Sequence, residues 1–179
     1  MKKISTITKK IEAELKKSLS KIDSKKTEKF VRILARSKNI FVTGQGRSGL
    51  IGEAFAMRLM QVGKNAFIVG MPTTPAIKEK DTFVAISCTG KTKVTADIVK
   101  EAKKEKTFII TLTAELDSIV ASLADLVIII KAKDSIKSKQ PLATLFEQAA
   151  LLYLDSVIIM LMQKLGIKEK KLAKRHANL

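Results

Sequence analysis

The 179-residue chain is 46% apolar and 28% charged, a globular balance that sets aside a disordered or low-complexity protein. One cysteine, Cys88, excludes an internal disulfide, and with His176 as the one histidine soft metal ligands are scarce, so no metal or other cofactor is expected. A net charge of +17 would suit nucleic acid, but a chain with no Trp and one tyrosine, Tyr153, has little on which to stack bases, and the excess is read as a solvated surface rather than a nucleic-acid face.

Ile4, Ile7, Ile11 and Leu15, then Phe30, Val31, Ile33 and Leu34, recur at helical spacing and predict two helices within residues 4–36, with Asp23 and Ser24 as caps between them. Five short β-branched runs follow: NIFVT (39–43), AFIV (66–69), TFVAIS (82–87), TFIITL (107–112) and DLVIII (125–130). Helices are predicted between the first and second, third and fourth, and fourth and fifth runs, whereas GMPTTPAIKEKD (70–81), with its two prolines, predicts a loop. Continuous apolar strands alternating with helices indicate a parallel sheet covered on both faces. A last helix over about 142–165 follows the link KAKDSIKSKQP. It is apolar nearly all round and is expected to be buried in the domain or against another subunit. Its apolar stretch AALLYLDSVIIMLM (149–162) is too short to cross a bilayer and carries Asp155, and no segment resembles a signal peptide. A cytoplasmic protein without a membrane partner is expected. The chain reads as one three-layer α/β domain over 1–179, with N-terminal helices over 1–37, the sheet over 38–131 and C-terminal helices over 142–179.

Two strand-to-helix junctions carry chemistry. The first, GQGRSG (44–49), is a G-x-G-x-x-G in the setting of a dinucleotide pyrophosphate site. Such a site needs an acidic residue about 20 positions on for the ribose hydroxyls, and no Asp or Glu stands between Ala54 and Lys78. Arg47 and Ser48 instead bring anion-seeking groups to the turn around Gly46. An anion or sugar site is favoured over a dinucleotide, with a bare packing turn as the remaining alternative. The second junction, SCTGKT (87–92), sets Ser87, Thr89 and Thr92 around Gly90 at a helix start. Hydroxyls beside free helix N-terminal amides suit a phosphate dianion, although the same residues also serve as ordinary caps and turns. GKT is not a nucleotide P-loop, because the glycine that motif needs is replaced by Ala85.

The pairing of GQGRSG with SCTGKT resembles the SIS (sugar isomerase) domain family, as do GQGRSGLIGEAFAMRLMQVG, the TTP of MPTTPAIKEKD, KSKQPLATLFEQAALLYLDSVI and the tail KRHANL. The resemblance implies a flavodoxin-like, doubly wound fold with a five-stranded parallel sheet. It also implies a homodimer or homotetramer that takes a small sugar phosphate and interconverts D-arabino-3-hexulose 6-phosphate and fructose 6-phosphate through a cis-enediol. Three departures from the family pattern are Cys88, Lys93 and the pair Leu142-Ala143. On this reading Gly46, Arg47, Ser48, Ser87, Thr89, Gly90 and Thr92 bind the substrate and its phosphate. Glu147, near the start of an apolar helix where a carboxyl is expected to titrate high, is the base. Its plain alternative is a helix-dipole glutamate. The tail implies that His176 is a second acid/base, in its own site or a neighbouring subunit's. Other SIS-domain isomerases and a non-catalytic phosphosugar-binding regulator are the alternatives, the latter weakened because the residues before the first strand are too few for a helix-turn-helix.

Overall fold

The structure, a computed structural model, describes residues 3–132 and 138–178. Two helices, α1 (Ile4–Leu19) and α2 (Ser24–Arg36), precede β1 (Asn39–Gly44), α3 (Arg47–Val62) and β2 (Asn65–Ile68). Then come β3 (Thr82–Ile86), α4 (Lys93–Lys104), β4 (Phe108–Thr113), α5 (Ile119–Leu123) and β5 (Leu126–Ile129), and the chain closes with α6 (Thr144–Leu165) and α7 (Glu169–Ala173). The carboxylate of Asp23 accepts from the Lys26 amide at 3.0 Å and starts α2, as a capping aspartate should.

All five strands pair in parallel in the order β2-β1-β3-β4-β5. Both faces are apolar because each strand alternates between two cores. Ile40, Val42, Val84, Ile86, Ile110 and Leu112 face α2, α3 and α6, while Phe41, Phe83, Ala85 and Ile109 face α4 and α5. The segment over 70–81 contains no helix, as its prolines predict. The link predicted over 131–141 falls outside the described residues at 133–137.

Helix α6 starts within two residues of the predicted 142 and ends at the predicted 165. Its 22 residues, with a mean hydropathy of 1.7 over the most apolar window, are enough to span a bilayer, whereas the run at 149–162 alone is not. Within this fold 56% of that window is buried, with Leu145, Phe146, Ala149, Tyr153, Val157 and Leu161 packed among α1, α2 and α3. Packing, rather than shortness, accounts for the composition. The remainder stays open: Leu151, Leu152 and Ile159 are 38%, 43% and 57% exposed.

Candidate active site at the β1 and β3 junctions

The strand order makes the site. From β1 the chain crosses to β2 on one side, and from β3 it crosses to β4 on the other, so the connections leaving these two adjacent strands diverge. In an open parallel sheet that switch point, beyond the carboxyl ends of the strands, is where ligands bind. Gly44 pairs with Ile86 in the parallel register, which places GQGRSG and SCTGKT side by side at the same sheet edge.

In the first junction the glycines divide two tasks. A Cβ on Gly44 would lie 2.8 Å from the Ser48 carbonyl group, and one on Gly49 would lie 2.9 Å from the Gly44 oxygen, so these two let α3 begin directly against the strand end. Gly46 adopts φ 57°, with nothing within 4 Å of its missing side chain. The packing role of Gly44 and Gly49 thus leaves the turn at Gly46 open. Arg47 opens α3 and is exposed, whereas Ser48 beside it is buried. Nothing acidic stands in the first turn of α3 or of α4.

The second junction is fastened from behind. The Cys88 carbonyl accepts from the Ala114 amide at 2.9 Å and from Thr113 Oγ1 at 3.1 Å, and the Gly90 carbonyl accepts from the Val120 amide at 3.2 Å. Gly90, at φ 60°, sits so close to Ser118 that a Cβ would come within 2.2 Å of its Oγ. Ser87 Oγ accepts from the Gly90 amide at 3.2 Å, and Thr89 Oγ1 accepts from the Lys91 amide at 3.3 Å. Both are turn residues, as the plain reading holds. A hydroxyl that accepts still carries its own O–H to donate, so the turn role does not compete with phosphate binding. Thr92, the N-cap of α4, makes no side-chain capping bond, and the first amides of that helix have no intrahelical acceptor. Exposed Lys91 and Lys93 flank them.

Glu147 lies in the first turn of α6, its side chain 11% exposed, and its carboxylate takes a charged hydrogen bond from Nε of Arg47, whose own side chain is 62% exposed. Contrary to the apolar surroundings expected from the sequence, the carboxylate therefore has a charged partner. A carboxylate and a guanidinium are held together across the mouth of the first junction. His176 is not part of this group within one chain. It lies exposed beyond α7 on a groove of about 490 Å³ with Arg58, Gln61, Asp155 and Met162, near the far end of α3. Arg58 is eleven residues past Arg47, roughly 17 Å along the helix.

Two residues not singled out in the sequence belong to the setting. Glu53 lines a cavity of about 180 Å³ with Gly44, Gly49 and Gly52, beside the first junction. Glu14, on α1, accepts from Ser138 Oγ at 2.8 Å, Gln140 Nε2 at 2.9 Å and the Lys139 amide at 3.4 Å, tying down the segment that leads into α6. Burial alone would raise the Glu14 carboxyl, but those hydrogen bonds and the Lys10 charge outweigh it and hold the group below its ordinary value of 4.5. A lowered folded-state value adds stability that is complete above the unfolded value and is lost as pH falls through the folded one. Thermal melts of the wild type should therefore lose more stability on acidification below 4.5 than melts of Glu14→Gln. Parallel losses would mean the tie contributes nothing. Among the described residues, no group of three or more His, Cys, Asp or Glu is placed to hold a metal ion.

Comparison with known proteins agrees with this fold. The family model described as the SIS domain matches residues 33–154. A protein of Methanocaldococcus jannaschii named 3-hexulose-6-phosphate isomerase is 39% identical over 86% of this chain and 84% of its own. A Bacillus subtilis protein of the same name is 37% identical over 93% of each. A crystal structure from Methanococcus jannaschii, described as inferring that molecular function, superposes with a TM-score of 0.88 at 35% identity, covering 97% of this chain and 99% of the other.

Proposed function

The chain belongs to the SIS-domain family, and from that premise we propose that it is an isomerase interconverting D-arabino-3-hexulose 6-phosphate and fructose 6-phosphate. The relatives named for 3-hexulose-6-phosphate isomerisation, in an archaeon and a bacterium, support this substrate. The observation that carries the reading is the convergence of both glycine junctions at one switch point, with the Arg47–Glu147 pair at its mouth.

The phosphate rests on Ser48, Ser87, Thr89 and Thr92 and on the first amides of α4, where the helix dipole favours a dianion. Gly46 and Gly90 keep the backbone within reach. Anchoring the phosphate fixes the carbon chain relative to α6, so that a carboxylate there can meet the reacting carbons. Glu147 takes the proton from C2 of the 3-ketose, and electron density moves onto O3 to give the enediolate. Arg47, already against that carboxylate and largely in solvent, is placed to stabilise the oxyanion. The same carboxyl group returns the proton to C3, while the O2 proton moves to O3 with His176 as acid/base, and the carbonyl now stands at C2.

The enzyme acts, on this reading, as a cytoplasmic homodimer or homotetramer. Exposed Met57 and Met60 on α3 and Leu152 and Ile159 on α6 offer an apolar face, and a neighbouring copy would bring the His176 that one chain holds away from Glu147. Sedimentation should give a mass above that of one chain. A fully active monomer would contradict this. The activity itself is tested with fructose 6-phosphate in D₂O, where the 3-ketose should appear and deuterium should enter C3 of the recovered substrate. Failure of both would exclude the proposed reaction.

A further inference from the structure

The C-terminal end of α3 is built around Gly63. The Gly63 amide donates to the Met60 carbonyl at 2.8 Å and the Lys64 amide to the Leu59 carbonyl at 2.9 Å, with Gly63 at φ 97°, the pattern of a Schellman turn. Two of the last carbonyls of the helix are satisfied in this way. The next, that of Gln61, accepts from Nη1 of Arg175 at 3.2 Å. A Cβ on Gly63 would stand 2.5 Å from that Nη1 and 2.8 Å from Cζ. Glycine is therefore required twice, for the left-handed turn and to let the guanidinium lie against the backbone. The cation also sits at the negative end of the helix dipole. Gln61 is itself fixed: it is 2% exposed, and its side-chain oxygen accepts from Arg58 Nη1 at 2.9 Å.

The residue after this contact is His176. Its Nδ1 faces the Ala177 carbonyl oxygen at 2.9 Å. A carbonyl oxygen accepts and cannot donate, so Nδ1 carries the hydrogen and a neutral ring has its lone pair at Nε2. The ring is exposed, on a tail whose last helical element, α7, is five residues long. So short a helix does not hold a side chain in one direction by itself.

We propose that Arg175 is a positioning residue: its guanidinium, seated on the Gln61 carbonyl over Gly63, fixes the tail so that His176 projects from the fold with Nε2 available to an adjoining copy's site. This rests on the acid/base role given to His176 above. The contact lies at the opposite end of α3 from both phosphate-binding junctions, so loosening it should alter proton transfer and spare substrate binding.

The test compares Arg175→Met, which keeps the aliphatic stem over Gly63 and removes the donors, with Arg175→Lys and His176→Ala. Arg175→Met should lower kcat by about tenfold to a hundredfold with KM for fructose 6-phosphate held within about twofold, a split that a general loss of fold would not give. The limb of the kcat–pH profile that His176→Ala removes should also weaken. Arg175→Lys, with its charge and one donor but no flat guanidinium, should recover part of kcat. Wild-type kcat and profile in Arg175→Met beside an impaired His176→Ala would overturn this inference alone. An unimpaired His176→Ala would overturn the role of His176, and the inference with it. If Arg175→Met does not fold, Arg175→Lys decides: reduced kcat at constant KM supports the clamp, and wild-type kcat overturns it.

Discussion

Glu147→Gln should lower kcat by about 10²- to 10⁴-fold, the usual worth of a general base, while KM changes little. The amide keeps the volume of the carboxylate and offers an oxygen to the same Nε of Arg47, so the link between α3 and α6 persists. Arg47 is largely in solvent, so the charge left behind is not a buried orphan of the kind that makes broken ion pairs so costly. The melting temperature should accordingly stay close to that of the wild type, which separates a lost base from a lost fold. Unimpaired turnover would remove Glu147 from the chemistry. Glu53, the carboxylate beside the first junction, would then be the next to substitute.

Thr89→Val combined with Thr92→Val should raise KM by about a hundredfold or more, since hydrogen bonds to a charged group contribute about 1.5–3 kcal/mol each. The backbone amides of α4 still favour a dianion in the double variant, which keeps the effect toward the lower end. Valine reproduces the shape of threonine, and the Thr92 hydroxyl makes no capping bond, so the helix itself loses little. Thr89 gives up its bond from the Lys91 amide, a local turn contact. Inhibition by inorganic phosphate should weaken in parallel with KM, and kcat should be largely preserved. An unchanged KM would reduce SCTGKT to a turn.

Much of the fold was legible in the sequence because each strand is apolar on both faces, which leaves short β-branched runs with unmistakable ends. The run NIFVT became Asn39–Gly44 and DLVIII became Leu126–Ile129, each within a residue or so. Asp23 was found because a cap is a local device. The two junctions could be read for the same reason, with glycines, hydroxyls and strand ends close together in the chain. What escaped is long-range. Nothing near Arg47 or Glu147 in sequence says that they meet, and neither the hold of Glu14 on 138–140 nor that of Arg175 on Gln61 leaves a periodic trace. His176 was singled out as the one imidazole, yet its place beyond α7 depends on tertiary packing that residue spacing does not encode.

A crystal soaked with fructose 6-phosphate measures most directly whether one dianion is gripped jointly by the turns at 44–49 and 87–92. The account predicts phosphate density against Ser48, Ser87, Thr89 and Thr92, with the sugar carbons C2 and C3 toward Glu147. Density for the phosphate in the groove beside His176 of the same chain, or anywhere else with those two turns empty, would contradict it.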